Sequence, residues 1–116
     1  MSADSECVFC QIVAGQIPAE VVWQSEHALA FRDLNPQAPT HVLVVPSRHV
    51  ADVGSLAAED PQALVALVEA AAAVAAQEGI AGGYRLVFNT GPAAGQSVFH
   101  CHGHVLGGRT MSWPPG

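Results

Sequence analysis

Three histidines at alternate positions near the C-terminal end, His100, His102 and His104, constrain the fold more than any other feature. Successive side chains of an extended strand point to opposite faces, so this spacing predicts a strand with all three imidazoles on one face. At a rise of roughly 3.3 Å per residue the outer two lie about 13 Å apart, too far to ligate one metal ion. The row suits an extended anion, or a metal at one end with a phosphate beyond it. The alternative is a solvent-facing polar edge of a sheet.

Periodicity in the rest of the chain predicts helices packed on a mainly antiparallel sheet, which is an α+β fold. A short helix begins near Cys7 and ends at Gly15. The longest helix follows Asp60, a candidate N-cap, and Pro61, and Gly79 is expected to stop it. Its predicted apolar stripe comprises Leu64, Leu67, Val68, Ala71, Val74 and Ala75. Strands are predicted at 20–24, 28–32, 41–46, 84–89 and 99–106 in one domain spanning 1–116, with 41–46 buried on both faces.

Charge and composition narrow the classes of partner. The 116 residues carry a formal net charge of −6, and four arginines are the only strong bases, so we expect no nucleic-acid binding. The alanine-rich stretch 65–76 is interrupted by Glu69, and the first six residues are polar and acidic. We therefore expect neither a membrane span nor a signal peptide. Three cysteines without a disulfide framework favour the reducing cytoplasm.

The pair Cys7-x-x-Cys10 is half of a zinc site. His49, after the buried strand, and His100 could complete a tetrahedral set that is structural, because the protein would fill all four positions. A redox pair and two buried thiols are the alternatives. A redox pair requires a thioredoxin-like βαβ context, which the predicted order of elements does not supply. We therefore predict structural Zn²⁺.

The loop 89–97 runs directly into the histidine strand and carries Gly95, Gln96 and Ser97 at its end. Taken alone, this loop is typical of an ordinary hairpin turn. Beside three imidazoles, its hydroxyl and amide donors could hold a phosphate and stabilise a more negative transition state. An imidazole could also attack phosphorus, and the middle one, His102, has neighbours on both sides. His104 and Ser97 would then contact the phosphate oxygens or the leaving group.

Other candidate binding residues have simpler structural explanations. Asp33 either caps the proline-rich loop 33–39 or accepts hydrogen bonds from both hydroxyls of a ribose. Four apolar side chains are most simply core residues, although some could instead line a slot for a base: Phe9, Ile12, Ile17 and Phe31. We expect His27 to be exposed and His41 to be buried with its hydrogen bonds satisfied.

The stretch from His100 to Leu106 resembles the signature of the histidine triad (HIT) superfamily, in which histidines alternate with hydrophobic residues. The segments 33–41 and 95–97 and the tail Trp-Pro-Pro-Gly at 113–116 are similar to its Hint branch, the histidine triad nucleotide-binding proteins. The Cys7-x-x-Cys10 pair is similar to the zinc-binding start of many bacterial members. The similarity covers nearly the whole chain, and the motifs occur in the family's order.

This resemblance implies a homodimer in which two five-stranded antiparallel sheets join, each subunit having one short and one long helix. It implies hydrolysis of purine nucleoside 5′-phosphoramidates to AMP or GMP and an amine, with no cofactor taking part in the reaction. His102 would become nucleotidylated, and the other catalytic residues would be Ser97, His104 and His100. The nucleotide-binding residues, carried over by position, would be Asp33, Asn89, Gly95, Gln96, Ser97, His102, His104, Phe9, Ile12, Phe31 and Trp113. Trp113 would reach the other subunit's site and affect the choice of leaving group.

One position departs from the family's pattern. Gly103 stands where a bulky apolar residue is usual, so it would leave a gap under the strand and reduce stability unless a neighbouring side chain fills the space. Ser97 and the tail favour phosphoramidates over dinucleoside polyphosphates, which other branches hydrolyse. The remaining alternatives are a nucleotide-binding regulatory module with incidental hydrolysis and a zinc-dependent structural protein.

Overall fold

The computed structural model describes residues 6–116, which form an antiparallel sheet with helices on both faces. The strands are β1 (Val21–Gln24), β2 (Ala28–Arg32), β3 (Thr40–Pro46), β4 (Tyr84–Phe88) and β5 (Gly103–Gly107), in the spatial order β1-β2-β3-β5-β4. The helices are α1 (Val8–Val13), α2 (Val53–Glu59) and α3 (Pro61–Gln77), and one 3₁₀ turn spans Pro92–Ala94. All four strand pairings are antiparallel, so the predicted α+β fold with a five-stranded sheet is confirmed.

The central strand β3 is buried along its whole length, as predicted, because both faces of the sheet are covered. Val42 and Val44 lie on the face that packs against α3, in a core that includes Leu67. Leu43 and Val45 lie on the opposite face, in a second core to which α1 contributes. The need for apolar side chains on both faces explains the uninterrupted hydrophobic sequence of this strand.

The long helix α3 begins where the sequence predicts. Asp60 Oδ1 accepts a hydrogen bond from Ala63 N at 3.2 Å, Pro61 occupies the first turn, and Gly79, with φ of +76°, follows the end. The buried face differs from the prediction, since Val68 is 49 % exposed. The residues that pack inward are mostly small: Ala63, Ala66, Leu67, Ala70, Ala71, Val74 and Ala75. Alanine on this face lets the helix approach the sheet closely.

The short helix α2, between β3 and α3, was not predicted. Asp52 caps it by accepting a hydrogen bond from Ser55 N at 2.8 Å, and Gly54 in the first turn obscures the helical pattern in the sequence. None of the helices within residues 6–116 is long and apolar enough to cross a membrane.

The predicted histidine strand 99–106 is wrong in its first half, because β5 begins only at Gly103. The pairing of β3 with β5 stops at the partners Val44 and Gly103. Ahead of that point other contacts hold the chain, including a 2.6 Å hydrogen bond from Cys101 N to Val50 O. The three histidines therefore do not form one row on a strand, and only His104 belongs to the sheet.

Gly103 leaves no gap in the core. Its strand partner is Phe88, and a Cβ built on Gly103 would lie 2.8 Å from Phe88 Cζ and 2.9 Å from Leu86 Cδ1. Of the two outcomes considered for this position, the structure therefore supports the one in which neighbouring side chains fill the space. The aromatic ring of Phe88 on β4 occupies the space beside Gly103.

We predict that Gly103→Ala lowers the free energy of unfolding by about 1–3 kcal/mol, because an added methyl group overpacks a filled site. Phe88→Leu in the same chain should recover part of that loss by withdrawing the ring. Urea unfolding followed by circular dichroism measures both effects. Gly82→Ala is the control, since a Cβ there meets nothing within 4 Å. An unchanged midpoint for Gly103→Ala would contradict the packing described here.

Candidate functional site

Four potential metal ligands come together beside the first turn of α1. Cys7 and Cys10 come from the N-terminal end of that helix, His49 follows β3, and His100 precedes β5. One ligand atom from each lies within 4.8 Å of the others. The structure thus assembles the four residues predicted as a zinc site, from three segments that are distant in sequence.

The distances between these atoms fit a tetrahedral ion. With metal bonds of about 2.0 Å to nitrogen and 2.3 Å to sulfur, tetrahedral geometry places two nitrogens about 3.3 Å apart and a sulfur and a nitrogen about 3.5 Å apart. The nitrogens His49 Nδ1 and His100 Nδ1 are 3.3 Å apart. Cys10 Sγ is 3.3 Å from His49 Nδ1 and 3.4 Å from His100 Nδ1, and Cys7 Sγ is 3.4 Å from His100 Nδ1. A donor set of two sulfurs and two nitrogens is typical of structural zinc.

Backbone contacts prepare His100 for this position. Its Nε2–H donates to Pro46 O at 3.0 Å, so the lone pair of a neutral ring lies on Nδ1, which faces the cysteines. Burial lowers the pKa of His100 to about 4, which favours the neutral ring that a metal requires. Both ring nitrogens are therefore engaged, and the catalytic role predicted for His100 does not fit its side chain. Its main chain is what reaches His102.

His102 is held in one tautomer by the carbonyl group of His100. The distance from His102 Nδ1 to His100 O is 2.7 Å, and a carbonyl oxygen only accepts, so Nδ1 carries the hydrogen. The unprotonated Nε2 of a neutral ring is then available as a nucleophile. The residue is 8 % exposed, and its ring packs edge-on against Phe9 with centroids 4.9 Å apart.

His104 lies beside His102, with ring centroids 5.1 Å apart, and accepts a hydrogen bond from His41. Gln37 N donates to His41 Nδ1 at 3.0 Å, so the hydrogen of a neutral His41 ring lies on Nε2. His41 Nε2 is 2.9 Å from His104 Nδ1, which therefore accepts and leaves its own hydrogen on Nε2. His104 is prepared to donate a hydrogen bond through Nε2.

The carboxylate of Asp33 lies close to the ring of His41. Its Oδ2 is 3.4 Å from His41 Nε2, and its Oδ1 accepts a hydrogen bond from Asn35 N at 2.8 Å. Asp33, His41 and His104 are close enough to hold a metal ion. Because Gln37 N donates to His41 Nδ1, the hydrogen of a neutral His41 ring is on Nε2, which then has no lone pair for a metal ion. The pattern therefore favours a chain of hydrogen bonds from Gln37 through His41 to His104 over a metal site.

His41 was correctly predicted to be buried and His27 to be exposed, but the part of His41 in the site was missed. The pairing of β3 with β5 is what places His41 in the site. It puts Leu43 opposite His104, and His41 lies two residues from Leu43 on the same face of the sheet. The sequence contains both strands but does not state their register.

An apolar cleft of about 300 Å³ opens next to these histidines. It lies between the N-terminal helix and the second and third strands, and its lining includes Phe9, Ile12, Pro18, Ala19, Phe31, Asp33, Leu43, Ser97 and Val98. Phe9 and Phe31 meet edge to face with centroids 5.6 Å apart, so their rings form a rigid wall. This one cleft contains Asp33, which was predicted to bind a ribose, and three residues that were predicted to contact a base: Phe9, Ile12 and Phe31.

Gln96 holds the conformation of the loop 89–97, because its side chain is buried and both of its polar atoms are hydrogen-bonded. Its Oε1 accepts from Gly91 N at 2.8 Å, and its Nε2 donates to Ala51 O at 2.8 Å and Val98 O at 3.0 Å. The predicted phosphate contact of this side chain does not fit these bonds. Gln96 instead fixes the loop, and Gly95, with φ of +94°, makes the preceding turn possible.

The remaining predicted residues lie around the opening of the site or away from it. Ser97 is exposed at the edge of the cleft, and Asn89 is half-buried just after β4. Trp113 is 80 % exposed and stacks under the guanidinium of Arg85, 5.8 Å from the ring centroid. Arg85 also donates to Ser112 O. Within one chain, the tail is thus held at a surface outside the cleft.

Comparison with known proteins identifies the family to which the chain belongs. The HIT domain family matches residues 14–111, so the chain belongs to that family, as its motifs predict. It is 49 % identical over 115 residues to the 14 kDa zinc-binding protein of Zea mays, covering 97 % of this chain and 90 % of that protein. It is 46 % identical over 107 residues to the purine nucleoside phosphoramidase of Escherichia coli, covering 91 % and 90 %.

Solved structures agree with this assignment. The crystal structure of a HIT family hydrolase from Legionella pneumophila matches with a TM-score of 0.91 at 47 % identity, covering 96 % of this chain and 100 % of that one. A HIT family hydrolase from Clostridium thermocellum matches with a TM-score of 0.90 at 44 % identity, covering 94 % and 96 %.

We predict that His104 makes stability depend on pH. Burial, together with the imidazoles of His102 and His41, lowers its pKa from 6.5 to about 4. Between these values the unfolded chain binds a proton that the folded chain does not, so stability falls as the pH drops from 6.5 towards 4. His104→Gln should flatten this decline, measured as the urea midpoint at several pH values. His27→Gln, at an exposed position, should keep the wild-type slope; equal slopes for all three proteins would contradict the prediction.

Proposed function

We propose that this protein is a nucleotide hydrolase that cleaves the phosphorus–nitrogen bond of purine nucleoside 5′-phosphoramidates. The observation that carries the proposal is the pair of neighbouring rings with opposite orientation, His102 with a free Nε2 and His104 with Nε2–H. One can attack phosphorus while the other donates to a phosphate oxygen. The Escherichia coli relative is a purine nucleoside phosphoramidase, which supports this choice of substrate.

The reaction proceeds in two displacements. His102 Nε2 attacks the α-phosphorus and forms a phosphorus–nitrogen bond, while the bond to the substrate amine breaks and the amine leaves with its electron pair. The amine takes up a proton from solvent, which is passed on by the exposed hydroxyl of Ser97. Water then attacks phosphorus, the bond to His102 breaks, and the nucleoside monophosphate leaves while water's surplus proton passes to solvent. His104 Nε2–H donates to the phosphate oxygens in both steps and stabilises their developing charge.

The cleft beside these histidines suits a purine nucleoside. Its walls are the aromatic rings of Phe9 and Phe31 and the side chain of Ile12, which can cover both faces of a flat base. The partly exposed carboxylate of Asp33 can accept hydrogen bonds from the two ribose hydroxyls. The backbone of Gly95 and the side chain of Asn89 complete the phosphate site.

We propose that the protein forms a homodimer, and the free edge of the sheet supports this assembly. β4 is the last strand in the order β1-β2-β3-β5-β4, and all five of its residues are only half-buried. Val65 and Val68 of α3 are also exposed. A second copy that pairs with this edge would join the two sheets, cover these apolar groups, and bring its exposed Trp113 to the neighbouring active site.

The first prediction of the proposed function concerns turnover. The wild-type protein should release AMP from adenosine 5′-phosphoramidate, and His102→Ala should lose at least about a thousandfold in kcat/KM, because the nucleophile is gone. His102→Ala should still bind AMP in isothermal titration calorimetry. His27→Ala, at an exposed position, is the activity control.

A wild type that binds AMP without turning over the phosphoramidate would contradict the proposal. Cleavage of a dinucleoside polyphosphate in its place would then assign the protein to a different reaction of the same superfamily. Binding without either reaction would favour a regulatory module.

We also propose that the cluster holds Zn²⁺ as a structural ion, since the geometry fits and the Zea mays relative is a zinc-binding protein. The ion would join α1 to the segment before β5. All three cysteines are buried and none forms a disulfide, and intact thiols at such a site suit the reducing cytoplasm.

The second prediction is that purified protein contains about one equivalent of zinc by elemental analysis and that Cys10→Ser loses most of it and unfolds at lower temperature. Cys101→Ser is the matched control, because Cys101 is a buried free thiol that lies outside the cluster. Equal zinc contents in the two variants would overturn the assignment.

A further inference from the structure

The turn that follows β5 packs against the loop 33–39. Gly108, with φ of +90°, lies so close to this loop that an added Cβ would be 2.9 Å from Pro39 Cβ. The next residue, Arg109, donates to Gln37 O through both Nε, at 3.2 Å, and Nη2, at 3.1 Å. Its Nη1 donates to Thr110 O at 3.2 Å. One guanidinium therefore fixes the loop to the start of the C-terminal tail.

The loop that Arg109 holds is itself ordered by hydrogen bonds. Gln37 Nε2 donates to Asn35 O at 2.9 Å, and Asn35 N donates to Asp33 Oδ1 at 2.8 Å. The position of Gln37 is thus linked to the carboxylate proposed to bind ribose. A displacement of Gln37 would disturb both ends of this network.

The backbone N–H of Gln37 determines the tautomer of His41. Gln37 N can only donate, and it donates to His41 Nδ1 at 3.0 Å. His41 must then present Nε2–H to His104 Nδ1, 2.9 Å away. A neutral His104 consequently carries its hydrogen on Nε2. If Gln37 N moves away, His41 can adopt the other tautomer and His104 loses the donor that orients it.

We propose that Arg109 is a positioning residue for catalysis, which acts through Gln37 and His41 to keep His104 in the tautomer that donates from Nε2. The proposal rests on the proposed function for its effect on turnover, but not for its effect on the ring of His104. It assigns to the start of the tail a role in the chemistry of its own subunit.

The test compares variants by two independent measurements. The nitrogen chemical shifts of the His104 ring report the tautomer, and kcat on adenosine 5′-phosphoramidate reports the consequence. Arg109→Ala should move the two shifts toward each other, as in a mixture of tautomers, and lower kcat about fivefold, since each exposed hydrogen bond contributes modestly. Arg109→Lys, which can still donate to Gln37 O, should recover most of both signals.

A second pair of variants removes the relay directly. Gln37→Pro deletes the backbone N–H that His41 accepts, whereas Gln37→Ala deletes only the side chain and keeps the amide. The proline variant should change the His104 shifts at least as much as Arg109→Ala, and the alanine variant should change them less. Arg48→Ala is the control for loss of an exposed arginine, because Arg48 pairs with Glu59 and Asp60 outside this network.

Wild-type His104 shifts in Arg109→Ala would overturn the inference, whatever happens to kcat. Shifts that change as expected in a protein whose wild type has no turnover would leave the relay standing and reject the proposed function instead. Arg85→Ala separates the relay from simple docking of the tail. It removes the contact with Ser112 O, so the tail loosens while the His104 shifts stay as in the wild type.

Discussion

The hydrogen bond from His102 Nδ1 to the carbonyl oxygen of His100, 2.7 Å long, is the contact on which the rest of the site depends. The ring of the same His100 lies within 3.4 Å of both cysteine sulfurs, so the residue whose carbonyl group orients His102 also belongs to the cluster of Cys7, Cys10, His49 and His100. The helix α1 supplies the cysteines and also Phe9, which packs on His102. Holding α1 in place therefore holds the cluster, the wall of the cleft and the ring of His102 together.

Backbone groups place His41, His100 and His102 each in one tautomer. Pro46 O accepts from His100, His100 O accepts from His102, and Gln37 N donates to His41, which in turn determines His104. Burial lowers the pKa values of His41, His100 and His104, so these rings stay neutral near pH 7. A neutral His100 has a lone pair available for a metal ion, and a neutral His104 has an N–H group available for an anionic ligand.

Much of the fold could be predicted because its signals are local. The Asp60-Pro61 start of α3 and the apolar run of β3 depend on capping and on burial of neighbouring residues, which the sequence states directly. The errors occur where a non-local contact overrides a local pattern. The alternation at 99–102 predicts a strand, but the pairing of β5 ends at Gly103 because the preceding rings and the Cys101 amide have partners elsewhere. The buried amide of Gln96 likewise binds three backbone groups rather than facing a phosphate.

The sequence by itself determined the class of chemistry, because the residue types and spacing of the histidine stretch and of Cys7-x-x-Cys10 limit what such side chains can do. It also determined the α+β architecture through its periodicities. Only the tertiary structure decided where the hydrogens lie on these rings and which further residue joins them. His100 Nδ1 faces the cysteines, His102 keeps a free Nε2, and His41 enters the site from a different strand. These assignments depend on strand register and on backbone groups distant in sequence, and neither leaves a local trace in the order of the residues.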